Sequence, residues 1–313
     1  MLNRRQLRLK SMEAIYAFEK SIDKKIDTKI EFFLNSSKNF YSLYIFILSF
    51  FVHFHNHCIL SEQKIKKNFL KKEIDCLFTK FSKNSFLALI SNNDFLKSKI
   101  KSLDITYWND HPEHLKLIIN KIFNSNIYKS YIDIKNSSFE DHKRVVVSIF
   151  KRIVASDDKL YEYVEEKSIS WINDFPLVNT LVLESLKKIE NSSKKSFVFK
   201  KLYKKKEDEN FGINLIKNVI SNEEFLKNEI MKITSNWDED RIADIDMVLL
   251  KMCLTEFLYF KSIPVKVSIN EYLEIAKEFS GSKSNVFING ILNKLSKQLI
   301  SEGKLNKNRR GLQ

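Results

Sequence analysis

DEDRIADIDMVLLKMCLTEFLYF, residues 238–260, decides the fold class. Ile242, Ile245, Leu249, Met252 and Phe257 recur at helical spacing on one broad face. Ile263-Pro264 stops the helix, because the residue before a proline is pushed towards extended backbone. Ser268-Ile-Asn-Glu271 has the S-x-x-E form of a capping box. It opens a second helix, INEYLEIAKEFS, with Ile269, Leu273, Ala276 and Phe279 inward. GSKSN (281–285) makes a turn into a third, FINGILNKL (287–295) and onward, where Ile288, Ile291, Leu292, Leu295 and Leu299 form one apolar stripe. Gly290 falls almost opposite that stripe. A helical glycine costs about 1 kcal/mol relative to alanine, and is tolerated most easily where a backbone or ligand comes close. The spacing therefore predicts a second working face, with Phe287 at the edge of the stripe and Asn289 just off it.

The same periodicity runs outward to the N-terminus. Residues 3–20 read as a helix capped by Asn3, with Leu7, Ser11, Ala14 and Phe18 inward, widened by Met12 and Ile15. Residues 22–34 continue with Ile22, Ile26, Ile30 and Phe33. An apolar helix follows at 39–58, and Ser61-Glu62 starts another carrying Ile65, Phe69, Ile74 and Leu77. With three prolines and five glycines in 313 residues, the chain is too poor in turn formers for a β protein, and an all-α fold is expected. FYSLYIFILSFFVHF (40–54) has an apolar core run of about 14 residues, the length of a buried helix rather than a membrane span.

A weak internal repeat crosses the middle. IVASDDKLYEYVEEKSISWIND (153–174) aligns without gaps with VISNEEFLKNEIMKITSNWDED (219–240), and ISNNDFLKSKIKSLDITYWND (90–110) is a looser copy. Each has a polar cap, an acidic first turn suited to the helix dipole, a helix, then a tryptophan placed to plug the junction to the next helix. Duplication of a helical unit and convergence on good caps both fit.

The net charge of +14 points to a polyanionic partner, discounted because Lys, Asn, Ile and Phe are abundant throughout. Cys58, Cys76 and Cys253 are widely spaced among apolar residues and form neither a disulfide framework nor a CxxC pair, which fits a reducing cytoplasm. The basic N-terminus has no apolar run behind it, so no signal peptide is expected.

No nucleotide-binding glycine pattern, GxSxG or HExxH occurs, and neither catalysis nor a cofactor is expected. In HFHNHC (53–58), His53 and His57 share a helical face, but no acid stands near to orient the imidazoles; no metal site is assigned. Asp104, Asp110, His111 and His114 read as a solvated loop. Arg4, Arg5, Arg8 and Lys10 cluster before the first acid, and arginine forks suit phosphate. Tyr16, two turns beyond Arg8, offers an aromatic surface for an unpaired base. KKLYKKK (200–206) reads as a lysine-rich loop, and KLNKNRRGLQ, from Lys304, as a disordered basic tail.

LNRRQLRLKSMEAIYAF at the start and the 60-odd residues from NWDEDR to FINGILNKL at the end together resemble the transcription antitermination factor NusB family. The specific signature is IP-x-KV-x-INE followed by F-[IV]-NG. The roughly 200 residues between carry no assignable motif, so the chain resembles a long form. The resemblance implies a NusB-like helical bundle of two packed subdomains. Residues 1–235 form the N-terminal helical region, 236–300 the C-terminal subdomain and 301–313 the tail. It implies a non-catalytic cytoplasmic protein that pairs with NusE, a small-subunit ribosomal protein, on boxA RNA of ribosomal RNA leaders, within the RNA polymerase antitermination complex. It assigns RNA contact to Arg4, Arg5, Arg8 and Tyr16, and to Phe287 and Asn289 near the same surface, with Gly290 allowing close helix packing and Phe287 stacking on a base. Lys283 replaces an acid found in some members and should favour RNA. Asp246 matches a NusE-facing acid. A helical scaffold that has lost RNA binding, or the NusB-like part of an RNA methyltransferase, are the competing readings.

Overall fold

The computed structural model describes residues 1–22, 24–67, 78–192, 197, 199–234, 242–281 and 283–311. Among these there is no strand. The helices are α1 (Arg4–Lys20), α2 (Ile26–Lys67), α3 (Ser85–Ser91), α4 (Asp94–Ser102), α5 (Tyr107–Asp110), α6 (Pro112–Phe123), α7 (Asn126–Ile132), α8 (Phe139–Ile149), α9 (Asp158–Lys167), α10 (Ile169–Lys187), α11 (Lys206–Ser221), α12 (Glu223–Ile233), α13 (Asp244–Tyr259), α14 (Val265–Phe279) and α15 (Ser284–Ser301), with a π-type turn, Phe150–Val154, continuing α8. The chain is all-α.

The structure divides into two compact units. One comprises Met1–Ser37 with Leu202–Gln313; the other is Lys38–Lys201. The division drawn along the sequence at residue 235 runs through the first of these units. Helix α2 gives its first part to one unit and the rest to the other. The three helices expected between residues 22 and 67 are therefore one, because no proline or glycine interrupts them. Phe69, Ile74, Leu77 and Cys76 lie outside the described residues.

In the first unit α13 is the axis. It packs against α1, α11, α12, α14 and α15, and every residue from Asp246 to Phe257 is buried. The one-sided face expected from its sequence is thus the visible part of a helix surrounded on all sides. Polar residues buried in it need partners. Lys251 finds them in Glu19 (2.9 Å) and Glu223 (3.2 Å). Helix α14 starts at Val265, with Pro264 at its cap, rather than at Ser268. The expected capping box does not form, because Ser268 Oγ donates to Glu256 and Glu271 pairs with Arg5. Tyr272 and Ile275 are buried on its inner face with Ile269 and Ala276, while Leu273 and Phe279 are only half-buried. The stripe Ile288, Ile291, Leu292, Leu295 and Leu299 of α15 is buried as its spacing predicts.

The helical glycine that serves close approach in this unit is Gly212, on α11. A Cβ there would stand 2.2 Å from Cζ of Phe33. Gly290, expected to serve close packing, has nothing within 4 Å of an added Cβ. Its place opposite the stripe simply faces open space, and α15 meets α12, α13 and α14. Contrary to the expectation of a free tail, Lys307 and Asn308 are bonded to the end of α13 and the two residues beyond it.

The second unit is built round the apolar part of α2. That helix is long and apolar enough to cross a membrane by length and composition, but 72% of its apolar window is buried inside the protein, as a core helix requires. Phe46 is stacked on both Trp108 (5.6 Å between ring centres) and Trp171 (5.9 Å). The two indoles donate to Ser49 Oγ and the Asn39 carbonyl respectively. They plug helix junctions as the repeat suggests. Asn93 and Asp157 also cap their helices by accepting backbone N–H bonds. The copy at 219–240 departs: Glu223, at the aligned position, is the first residue of α12 and faces Lys251. Trp237 lies outside the described residues. Of the histidine cluster, His55 is buried between Ser91 Oγ (2.6 Å) and the Ser82 carbonyl (3.1 Å).

Candidate nucleic-acid interface

Helix α1 opens on a capping box. The Asn3 side chain accepts the N–H groups of Arg5 and Gln6, and the Asn3 N–H donates to Gln6 Oε1 at 2.9 Å. Two orphan donors are satisfied at once, which fixes the first turn. The arginines that follow line a cleft of about 690 Å³ at the α13–α14 turn, where Phe260, Pro264 and Val267 supply an apolar wall and Arg310 a fourth guanidinium.

The three N-terminal arginines are not equivalent. Arg8 is 2% exposed. Its Nε and one terminal nitrogen donate to the two oxygens of Glu256, at 2.7 and 2.9 Å. The Glu256 carboxylate also accepts from Ser268 Oγ (2.7 Å) and the Tyr272 hydroxyl (2.8 Å). Burial alone would weaken the Arg8 charge, but Glu256 outweighs it and the guanidinium holds its proton more tightly than usual. Arg8 thus ties α1 to α13 and α14. It holds the cleft's floor, and its fork is already filled. Lys10 is likewise buried, 3.6 Å from Glu13.

Arg5 forms a forked pair with Glu271, both bonds 3.0 Å, with 42% of its side chain exposed. The hydrogen bond to Glu271 raises its pKa, and the same bond lowers that of Glu271. Arg4 is equally exposed, 3.2 Å from Asp208, with its guanidinium 4.4 Å above the Phe211 ring. Burial lowers its pKa against the pull of Asp208, and the neighbouring charges of Arg8 and Arg310 add to the lowering. The single half-exposed contact of Arg4 is worth little to stability, so Arg4 can exchange carboxylate for phosphate at small cost. The two-bond fork of Arg5 is held more firmly, and its exposed side chain can make the same exchange only at a higher cost. Tyr16 is exposed further along α1, within 6 Å of Lys20 Nζ.

Lys283 stands at the cap position of α15, and Phe287 and Asn289 lie on its first turns, apart from the residues lining the cleft. Two residues apart, Phe287 and Asn289 point to different faces of the helix. Lys283 and Asn289 are exposed and Phe287 half-buried. Asp246 is not a surface acid. It is 4% exposed and accepts a short hydrogen bond from Ser280 Oγ, which also meets Ser284 Oγ at 2.9 Å. It thereby fastens the start of α13 to the turn that launches α15.

Glu256, Tyr272, Lys307 and Arg310 were not singled out from the sequence. Glu256 had a usable signal. It is the only acid between Asp246 and Glu271, set in an otherwise apolar run, and a buried carboxylate demands a buried cation.

Residues 177–297 match the NusB family model. The chain is 42% identical over 102 residues to the transcription antitermination protein NusB of Chloroherpeton thalassium, covering 33% of this chain and 48% of that one. Against that of Salinibacter ruber it is 40% identical over 102 residues, covering 33% and 64%, and against that of Clostridium kluyveri 41% identical over 90 residues, covering 29% and 58%. The match thus spans between about half and two thirds of the length of these curated relatives. The solved structure of T. maritima NusB aligns at 22% identity over 50% of this chain and 89% of its own, with a TM-score of 0.29.

Proposed function

We propose that this chain, which carries a NusB-family domain over residues 177–297, is an RNA-binding transcription antitermination factor. It pairs with NusE on the boxA element of ribosomal RNA leaders, in the cytoplasm, and acts as a non-catalytic adaptor of the RNA polymerase antitermination complex. The observation that carries this reading is the identity of about 40% to three proteins named for transcription antitermination. The geometry supports it: helix α1, outside the matched residues, is packed on α11, α13 and α14 of the matched segment, so its arginines share a cleft with the IP-x-KV-x-INE turn.

Arg4 and Arg5 are the phosphate-binding residues on α1, Tyr16 a stacking platform, and Lys283, Phe287 and Asn289 further contacts for the same RNA at the start of α15. Arg8 acts by holding α1 in place. Asp246 serves the NusE side by fixing the turn before α15, not by meeting the partner itself. Replacing Arg4 and Arg5 together by Ala should weaken boxA RNA binding and make its salt dependence shallower by about 1.4, or about 0.7 for each single-strand phosphate left without its arginine, with helicity by circular dichroism unchanged. Unaltered affinity and salt slope would remove α1 from the site.

A further inference from the structure

The last described residues are built into the cleft. Lys307 Nζ donates to the carbonyls of Glu256 (2.9 Å) and Phe260 (3.0 Å). These carbonyls lie at the C-terminal end of α13, where the helix dipole favours positive charge; each also accepts a backbone N–H, Glu256 from Phe260 (3.2 Å) and Phe260 from Ile263 (3.1 Å). The Asn308 N–H donates to the Lys261 carbonyl at 3.1 Å, and the Gly311 N–H closes a turn onto the Asn308 carbonyl at 2.8 Å. A Cβ at Gly311 would stand 2.1 Å from the Lys261 oxygen, so the chain lies against backbone that only glycine can approach so closely. Between these clamps, Arg310 lines the cleft beside Arg4 and Arg5. Arg4, Arg5 and Arg8 each face a carboxylate. Arg310 makes no ion pair with a described residue, and it is exposed.

We infer that the docked tail presents Arg310 as the cleft's uncommitted cation for a backbone phosphate of bound RNA, with Lys307 as the residue that positions it. The inference rests on the RNA-binding reading above. A guanidinium already standing in place loses less freedom on meeting a phosphate than one on a loose tail. It releases a condensed counterion as any cation that meets a phosphate does.

The test is an anisotropy titration of fluorescent boxA RNA with the full chain, across a salt series, for wild type, Arg310→Ala, Lys307→Met, the double variant and Arg309→Ala. Arg310→Ala should weaken binding several-fold and make the salt slope shallower by about 0.7, while its thermal midpoint stays at the wild-type value. Lys307→Met should weaken binding by a similar factor, and the double variant no more than the worse single, because both act through one phosphate. Arg309→Ala, outside the cleft, should weaken it less. Wild-type affinity and slope in Arg310→Ala would overturn the inference alone. So would equal losses at Arg309 and Arg310, or losses at 307 and 310 that multiply. A wild-type chain that binds no RNA would overturn the inference together with the reading it rests on.

Discussion

Exchanging glycine for alanine at two positions of one unit should move stability in opposite directions. At Gly290 an added Cβ meets nothing within 4 Å, so only helix propensity changes, and Gly290→Ala should stabilise by about 1 kcal/mol. At Gly212 the same propensity gain is opposed by steric overlap. The new carbon would stand 2.2, 2.7 and 3.0 Å from Cζ, Cε2 and Cε1 of Phe33, a ring with no exposure through which to retreat. Overpacking of this kind costs about 1–3 kcal/mol. With two ring atoms inside 3 Å the upper part of that range applies, leaving a net loss of about 1–2 kcal/mol after the gain of about 1 kcal/mol. The assay is urea unfolding followed by far-ultraviolet circular dichroism. The midpoint should rise for Gly290→Ala and fall for Gly212→Ala. Phe33→Leu should return part of the loss in the double variant, a coupling expected of residues that touch. A destabilised Gly290→Ala, or a Gly212→Ala at or above wild type, would refute the assignment of which glycine serves close packing.

Arg8→Ala strands the Glu256 carboxylate without its cation and should destabilise by about 3–5 kcal/mol; a loss under about 1 kcal/mol by urea midpoint would show that the pair is not the joint described. In the second unit, burial would raise the pKa of Asp157, but hydrogen bonds from His114, Lys121 and the Leu160 N–H bring it from 3.8 down to about 2. The unfolded chain therefore takes the proton first. This contribution, about 2 kcal/mol, is full above pH 4 and is lost as pH falls from about 4 to 2. Asp157→Asn should remove that part of the acid sensitivity, and an unchanged pH profile of the urea midpoint would contradict the shift. Asp246→Ala leaves the Ser280–Ser284 turn without its acceptor and should cost about 1–3 kcal/mol. Asp246→Lys, which the partner-facing position expected from the resemblance would tolerate, should destabilise further, and a native melting curve for it would place Asp246 back on the surface.

The helical class was legible because the inward positions of α1 and the stripe of α15 follow helical spacing without exception. Asn3 was also legible as a cap, since a polar residue before an apolar-periodic run has few other uses there. Periodicity failed where helices are surrounded. Helix α13 is buried from Asp246 to Phe257, so no solvent side exists to write a polar face. Local motifs failed where long-range partners outbid them: Ser268 and Glu271 could have capped α14, but Glu256 and Arg5 claim them. The arginine cluster was visible as composition, yet its split into buried Arg8 and exposed Arg4 and Arg5 depends on a carboxylate 248 residues away in sequence. Nothing local distinguishes the docked basic tail from a loose one, since its anchors are backbone carbonyls of α13 and the residues following it.

The central claim is that this chain reads boxA RNA together with NusE. It is tested most directly by measuring the full chain's affinity for boxA RNA and for a scrambled RNA of equal length, each with and without NusE, at one near-physiological salt concentration. The account predicts that NusE tightens binding to boxA RNA and leaves the scrambled RNA at the weak affinity expected of charge alone. Equal affinity for the two RNAs, unaffected by NusE, would contradict it.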